Sequence, residues 1–148
     1  MVKTITVALI GNPNTGKSSV FNSLTGLKQK VANYPGVTVE KKTGSFNINR
    51  TTDVQLIDLP GSYGLNTKSL DQSIVFDLLL NKNNKDFPDL VVIISDVENL
   101  KRNLLLFTQI KDLEIPSILA INMSDQLKLK GIEIDIKKLE QKLDTKIV

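Results

Sequence analysis

Residues 11–18 read Gly-Asn-Pro-Asn-Thr-Gly-Lys-Ser, which has the spacing of glycine, lysine and hydroxyl residues found in a P-loop. The short apolar run before it, 5–10, is rich in β-branched residues and predicts a buried parallel strand. Apolar residues at helical spacing follow over 18–25, and Gly26 can end that helix in the left-handed conformation. Strand, glycine-rich loop and helix in this order favour a phosphate-binding loop over the alternative, a glycine turn before an ordinary helix.

The residue types of this motif suit phosphate binding. Gly11 and Gly16 allow a close backbone approach that a Cβ would obstruct, so that successive N–H groups can surround phosphate oxygens. We expect Lys17 to reach the β- and γ-phosphates and the Ser18 hydroxyl to bind Mg²⁺. The residues predicted to contact nucleotide in this loop are Gly11, Asn12, Asn14, Thr15, Gly16, Lys17, Ser18 and Ser19.

A second predicted strand, 54–57, ends in Asp-Leu-Pro-Gly. This pattern is common in turns, and a Pro-Gly turn that ends a strand is the alternative interpretation. Beside a P-loop strand, however, the Asp58 carboxylate would lie where it can hold Mg²⁺ directly or through water, and the Gly61 N–H would meet a γ-phosphate. Asp96, at the end of the strand predicted over 89–96, is expected to be a strand-end or capping residue rather than a ligand.

The strand predicted over 116–121 runs into Asn-Met-Ser-Asp. Here the Asp125 carboxylate can accept hydrogen bonds from the ring N1–H and the exocyclic amino group of guanine, two donors that adenine does not offer together. Asn122 would brace the P-loop and approach the edge of the base. The alternative is an Asx-rich start of a loop.

The rest of the chain alternates predicted strands and helices. The expected elements are a loop over 28–37, an edge strand over 39–48 that forms a hairpin with 54–57, helices over 70–80, 99–112 and 136–143, and the start of one more strand at 146–148. Such alternation predicts an α/β fold with a mostly parallel sheet flanked by helices, and a ligand at the carboxyl ends of the strands. The P-loop, Asp58, Asn122 and Asp125 all fall at such ends, which indicates a guanine-nucleotide-binding protein of the P-loop NTPase class.

Composition excludes several other kinds of site. The 148 residues contain no Cys and no His, which excludes Cys/His zinc sites, thiol chemistry, disulfides and His-based triads within this chain. The net charge of +3 is too small to indicate nucleic acid or a membrane surface by itself. The longest apolar runs have the length of a strand and fall short of the roughly 20 residues that span a bilayer.

Taken together, these motifs resemble the N-terminal GTP-binding (G) domain of the ferrous iron transport protein B family. The stretches that carry the resemblance are 11–18, 33–40, 58–63, 96–104 and 122–125, so that it covers nearly the whole chain. It implies a small-GTPase-like fold and a slow GTPase that converts GTP to GDP and phosphate and regulates Fe²⁺ uptake across a membrane. Because the chain lacks Cys and His, we expect it to act as the switch, with the metal path elsewhere.

The resemblance also implies roles for single residues. Thr38 corresponds to the switch-loop threonine that binds Mg²⁺ and senses the γ-phosphate, and Asp58 and Gly61 correspond to the second switch. Ser62 stands where many GTPases place a Gln that orients the attacking water, which implies slow hydrolysis or a different group that orients the water. Lys17, Thr38, Gly61 and Asn14 are therefore the expected catalytic residues.

The same resemblance implies roles in base recognition and in cation binding. Asn122 and Asp125 correspond to the guanine readers, with Met123 where most GTPases carry a Lys, and the missing stem implies a lower nucleotide affinity. In similar GTPases the P-loop Asn supplies an oxygen to a monovalent cation, so Asn14 is expected to hold K⁺. Its alternative role is to stabilise the loop by hydrogen bonding to its own backbone.

At the level of the whole protein, the resemblance implies a single G domain over 1–148 that stops before the fifth guanine motif, without the helical and membrane domains of the family. The expected partners are guanine nucleotide and those downstream domains, with no nucleic acid, and a weak homo-oligomer is compatible with them. The full-length protein is expected at the cytoplasmic face of the cell membrane, and this fragment in solution. The alternatives are a stand-alone GTPase of ribosome assembly or tRNA modification, and a nucleotide-binding regulatory module with negligible turnover.

Overall fold

The computed structural model describes residues 2–26, 29–66 and 68–148. Its strands are β1 (Lys3–Gly11), β2 (Gln29–Asn33), β3 (Glu40–Asn49), β4 (Thr52–Asp58), β5 (Leu90–Asp96), β6 (Ser117–Asn122) and β7 (Lys146–Ile147). Its helices are α1 (Lys17–Thr25), α2 (Leu70–Leu80), α3 (Leu100–Lys111), α4 (Asp125–Lys130) and α5 (Ile136–Leu143). The predicted bounds of α2 and α5 are confirmed, those of α1 are wrong by one residue at its start, and those of α3 are wrong by one residue at each end.

The described strands form one sheet in the order β2-β3-β4-β1-β5-β6-β7. From β4 to β7 the neighbouring strands are parallel, whereas β2 pairs with β3, and β3 with β4, in antiparallel fashion. The predicted α/β fold with a mostly parallel sheet is therefore confirmed, as is the hairpin of β3 and β4. Because parallel strands all end at the same edge of the sheet, this topology gathers the loops that follow β1, β4, β5 and β6.

Apolar side chains of β1 alternate between two buried layers, as the period of a strand dictates. Leu9 belongs to a cluster with Phe21 of α1 on one face. Ile10 belongs to a larger cluster on the other face, with Leu78 of α2 and Leu106 of α3. All five side chains are buried, so β1 and the loop that follows it lie on a rigid support.

The loop predicted over 28–37 is wrong, because residues Gln29–Asn33 form the edge strand β2. Its side chains are mostly exposed, and the one large apolar residue among them, Val31, is 60% exposed. The strand is thus specified by backbone pairing with β3, which leaves no apolar alternation in the sequence to find. The predicted edge position of 39–48 is also wrong, because β2 pairs with β3 and so places β3 between β2 and β4. Lys28, the first residue of the predicted loop, lies outside the described residues.

Two smaller features also differ from expectation. Helix α4 was not predicted, because its six residues are too few to show a helical period. Gly26 follows α1 with φ 54° and ψ −125°, so it has a positive φ without the left-handed helical conformation. No helix among the described residues is long and apolar enough to cross a membrane.

Candidate nucleotide-binding site

The predicted site residues come from strands whose carboxyl ends lie side by side. In the β1–β4 pair Leu9 lies opposite Asp58, so the last residue of β4 is level with the start of the P-loop. In the β5–β6 pair Asp96 lies opposite Asn122. The four loops that follow these strands therefore surround one region at the edge of the sheet.

The P-loop packs tightly against its neighbours, and this packing explains its glycines. A Cβ at Gly11 would lie 2.5 Å from the Ile94 carbonyl oxygen, and one at Gly16 would collide with the Asn122 side-chain amide. Gly16 also has φ 83°, a conformation that favours glycine. The Asn122 Nδ2 donates to the Thr15 carbonyl oxygen at 3.0 Å, so Asn122 fastens β6 to the P-loop.

A cavity of about 410 Å³ opens at the start of α1. It is lined by Asn12, Pro13, Asn14, Gly16, Lys17, Ser18, Ser19 and Gly61. Within residues 2–26, 29–66 and 68–148, no side chain caps the start of α1, so the first N–H groups of the helix have no capping partner there. Free helix N–H groups beside a lysine form a site for an anion such as a phosphate, and the residues present therefore fit a nucleotide.

Lys17 and Asp58 meet beside this cavity. The Lys17 ammonium forms an ion pair with the Asp58 carboxylate, and their side chains are only 11% and 8% exposed. Ser18, the next residue after Lys17, lines the cavity, and carboxylate and hydroxyl oxygens such as those of Asp58 and Ser18 fit a hard cation such as Mg²⁺. The expected third ligand, Thr38, is not brought to it: Thr38 is exposed, does not line the cavity, and makes no hydrogen bond to the P-loop within the described residues.

Asp125 is presented to solvent at the start of a helix. It is the first residue of α4, it is exposed, and its Oδ2 accepts a 3.3 Å hydrogen bond from Gln126 Nε2. Met123 has φ 61°, and its Cε would lie 3.8 Å from a Cβ placed on Gly16. The structure thus places Met123 against the P-loop and leaves the Asp125 carboxylate open to a ligand.

Ser62 does not line the cavity. Its N–H donates to the Gly11 carbonyl oxygen at 3.0 Å, and its hydroxyl donates to the Gly64 carbonyl oxygen at 2.6 Å. The residue is buried, so its hydroxyl has no free position from which to orient a water. Asp96 is the last residue of β5, as predicted, and its Oδ1 accepts hydrogen bonds from the Glu98 and Asn99 N–H groups in the turn before α3.

Two buried residues were missed from the sequence. The Asn103 amide of α3 lies 3.0 Å from that of Asn12, so it supports the P-loop from behind. Tyr34 is 7% exposed, and its hydroxyl has no hydrogen-bond partner among the described residues. Burial raises the pKa of Tyr34 above its ordinary value, and the carboxylates of Asp86 and Asp58 raise it further. Asn103 could have been found from the sequence, because it is a polar residue on the apolar stripe of α3. No sequence pattern indicated that Tyr34 is buried.

Known proteins of one family match almost the whole chain. A family model described as "Ferrous iron transport protein B" matches residues 5–148. The Fe(2+) transporter FeoB of Shigella flexneri is 43% identical over 153 residues, which cover 99% of this chain and 19% of that protein. The chain therefore spans about a fifth of the length of the curated relatives that it matches.

Solved structures agree with these matches. The G domain of the T. maritima FeoB iron transporter has a TM-score of 0.89 and 42% identity, over 99% of this chain and 86% of that chain. The cytosolic domain of T. maritima FeoB in a GDP form has a TM-score of 0.91 and 43% identity, over 100% of this chain and 56% of that chain. The predicted small-GTPase-like P-loop fold is therefore confirmed.

Proposed function

The chain belongs to the ferrous iron transport protein B family, and from this membership we propose that it binds GTP and hydrolyses it to GDP and phosphate, as the switch that regulates Fe²⁺ uptake by a longer protein. The observation that carries the proposal is the gathering of the P-loop cavity, Asp58, Asn122 and Asp125 at one edge of the sheet. A stand-alone GTPase of ribosome assembly or tRNA modification is not favoured by the family.

Phosphates of the nucleotide would occupy the cavity at the start of α1. The free N–H groups of α1 and the Lys17 ammonium would bind their oxygens, and the Gly61 N–H would contact the γ-phosphate. Ser18 and Asp58 would hold Mg²⁺, which supplies positive charge beside the phosphate oxygens when bound. Thr38 would join this set only after the loop 34–39 has moved, since it is exposed in the present conformation.

Selection of guanine would depend on Asp125. Its exposed carboxylate would accept two hydrogen bonds from the base, while Asn122 keeps β6 fixed to the P-loop. Met123 would lie at the side of the base, where its thioether offers apolar contact without the long stem of a lysine.

Hydrolysis is expected to be slow, because Ser62 has no hydroxyl free to orient the attacking water. The Asn14 side chain, at the exposed edge of the phosphate cavity, would offer an oxygen to K⁺. A K⁺ ion there would add positive charge where the phosphates develop negative charge.

The rest of the proposed function concerns the longer protein. Since relatives are about five times as long as this chain, we expect further helical and transmembrane domains to receive the nucleotide state. The domain would then lie at the cytoplasmic face of the cell membrane, alone or in a weak homo-oligomer.

The proposal is tested by comparing GTP, GDP, ATP and ADP in titration calorimetry, followed by a multiple-turnover phosphate assay with GTP. We expect guanine nucleotides to bind at least a hundredfold more tightly than adenine nucleotides, because adenine cannot donate the two hydrogen bonds that guanine would give to the Asp125 carboxylate. Equal affinity for GTP and ATP would overturn the proposed guanine site. Tight GTP binding without any phosphate release would replace the proposed GTPase with a regulatory nucleotide-binding module.

A further inference from the structure

The segment that follows β4 is fastened to helix α3 at two points. The Arg102 guanidinium carbon lies 4.4 Å from the centre of the Tyr63 ring, within range of a cation–π contact. The Gln109 side-chain oxygen accepts a 2.8 Å hydrogen bond from the Leu65 N–H. Arg102 and Gln109 are seven residues apart, so they lie on the same face of α3 two turns from each other. We call these two contacts the α3 tether.

Gly64 leaves room for the second contact. A Cβ on Gly64 would lie 2.9 Å from the Gln109 side-chain oxygen, closer than real Cβ atoms approach their neighbours. Only glycine therefore lets Gln109 reach the backbone of this segment without displacement. A larger residue at position 64 would require the end of the Gln109 side chain to shift, so glycine suits this contact.

The same segment carries Gly61 at the wall of the phosphate cavity. On the side of β4, the Leu59 N–H donates to the Leu9 carbonyl oxygen at 3.0 Å, and the Ser62 N–H donates to that of Gly11. Gly61 lies against Pro13 of the P-loop. Residues 59–62 are thus held by β1, and residues 63–65 by α3, with Gly61 fixed in its place at the cavity.

We propose that Arg102 and Gln109 are positioning residues that hold Gly61 ready for a third phosphate, and so set the preference for nucleoside triphosphate over diphosphate. This inference rests on the proposed GTP-binding function. Only the γ-phosphate would reach Gly61, so only a triphosphate has to order residues 61–65 when it binds. A segment that is already ordered loses less conformational entropy, and its binding is correspondingly tighter.

One turn of α3 serves both sides of the cavity in this arrangement. Asn103 contacts Asn12 in the P-loop, and the adjacent Arg102 contacts Tyr63 in the segment after β4. These residues belong to the Asn-Leu-Lys-Arg-Asn-Leu stretch at 99–104. None of the predicted nucleotide-binding residues lies in this stretch. The α3 tether gives this stretch a role in the site.

The experiment compares wild type with Arg102→Ala, Gln109→Ala and the double variant. Lys101→Ala is the matched control, because Lys101 is an exposed residue of the same helix turn. We expect the double variant to bind a non-hydrolysable GTP analogue about tenfold more weakly, the combined effect of one cation–π contact and one hydrogen bond. GDP affinity should stay within about twofold of wild type, because GDP lacks the γ-phosphate. In the nucleotide-free protein, amides 61–66 should exchange hydrogen faster.

A double-mutant cycle identifies the contact itself. In a Tyr63→Ala background, the effect of Arg102→Ala on GTP-analogue affinity should disappear, since its partner is already gone. Additive effects, an unchanged ratio of analogue to GDP affinity, or an equal loss of both affinities would each overturn the role of the tether. A wild-type protein that binds no guanine nucleotide would instead overturn the proposed function on which the tether depends.

Discussion

Lys17, the first residue of α1, forms an ion pair with Asp58, the last residue of β4, although the two are predicted to bind different parts of a nucleotide complex. In this pair the Asp58 carboxylate takes the place of a phosphate oxygen at Lys17. The Lys17 ammonium takes the place of a cation at Asp58. Binding of a nucleotide with Mg²⁺ would thus exchange one pair of charge partners for another, so that neither charge is ever left unpaired in a largely buried place.

The first prediction is that Lys17→Ala abolishes tight GDP binding and also destabilises the nucleotide-free protein. Asp58 would keep its buried charge without a partner, which costs roughly 3 kcal/mol of unfolding free energy. Urea unfolding measures the stability, and titration calorimetry measures the GDP affinity. GDP binding at the wild-type level would contradict the assignment of Lys17 to the phosphates.

The control is the neutral double variant Lys17→Met, Asp58→Asn. Removing both charges should recover most of the stability that Lys17→Ala loses, because no unpaired charge is left in the site. It should not recover GDP binding, since the cation for the phosphates is still missing. Recovery of binding in this variant would show that the loss in Lys17→Ala was a folding effect.

The parts of this site that could be predicted from the sequence are those whose residue spacing identifies the type of loop. The glycine and lysine positions of the P-loop follow a strand and precede a helix, so their location at a sheet edge could be predicted without the structure. Asn122 could be placed beside the P-loop because β6 and β1 are strands of one parallel sheet. The reason for Gly16 could not be predicted in full, because its collision partner is the side chain of Asn122, 106 positions along the chain.

Long-range pairing explains what was not predicted. The edge strand β2 has exposed side chains and is specified by its hydrogen bonds to β3, which no local pattern records. Thr38 was expected at Mg²⁺, but it lies in the short connection 34–39 of the β2–β3 hairpin, where it is exposed. The ion pair of Lys17 with Asp58 could not be predicted either, since each residue was assigned to a ligand.

The second prediction concerns the base. Asp125→Asn should weaken GTP binding about a hundredfold, because two hydrogen bonds to a charged carboxylate are lost. The variant should favour xanthosine triphosphate, whose extra carbonyl can accept from an amide. Asp71→Asn is the matched control, since Asp71 is also an exposed acidic residue in the first turn of a helix. Competition of GTP, xanthosine triphosphate and ATP measures the outcome, and an unchanged preference for GTP would remove Asp125 from the base site.

A third prediction addresses the hairpin loop. Thr38→Ala should leave GDP affinity unchanged and slow GTP hydrolysis by about tenfold or more, because its hydroxyl would meet Mg²⁺ only when the γ-phosphate orders the loop. Thr38→Ser keeps the hydroxyl and should retain most of the turnover. A phosphate-release assay and GDP titration measure the two effects. If Thr38→Ala lost GDP and GTP binding equally, Thr38 would have a role in folding and none in the switch.

Tyr34 gives the fourth prediction. Its buried hydroxyl has no hydrogen-bond partner in the part of the chain that the structure describes, so Tyr34→Phe should raise the unfolding free energy by about 1 kcal/mol at neutral pH. The other tyrosine of the chain, Tyr63, is 45% exposed, and Tyr63→Phe is the control that should change little. Thermal unfolding of both variants tests this, and a lower melting temperature for Tyr34→Phe would show that the hydroxyl has a stabilising partner.

The same variant predicts a pH dependence. The pKa of Tyr34 is raised in the folded protein, so the native state keeps the phenol neutral where the unfolded chain already ionises it, above about pH 10. The stabilisation that comes from the neutral phenol of Tyr34 is fully present below that pH. As the pH rises further, the free energy of unfolding falls by about 1.4 kcal/mol per pH unit. Wild type should therefore lose stability more steeply than Tyr34→Phe in alkaline urea titrations. Equal slopes for the two would contradict the raised pKa.

The last prediction is that GTP turnover is faster in K⁺ than in Na⁺, and that the Asn14 side chain is responsible. Asn14 is exposed at the cavity, and its amide makes no hydrogen bond within the described part of the chain, so the backbone-stabilising alternative has no contact to support it. A larger cation suits a loose cage of backbone, side-chain and phosphate oxygens, which favours K⁺. We expect a gain of roughly tenfold to a hundredfold, below the 10³–10⁵ of an arginine finger.

The choice of variant decides whether this test is clean. Asn14 has φ 65°, a conformation that Asn and Gly tolerate and Ala does not, so Asn14→Ala would strain the loop and confuse two effects. Asn14→Gly keeps the backbone and removes only the amide. It should retain GDP affinity and lose the K⁺ preference, measured as phosphate release in K⁺ and Na⁺ at equal ionic strength. A full K⁺ preference in Asn14→Gly would assign the cation to other oxygens, and no preference in wild type would exclude it, because charge developing between the phosphates would then be offset by Lys17 and Mg²⁺ alone.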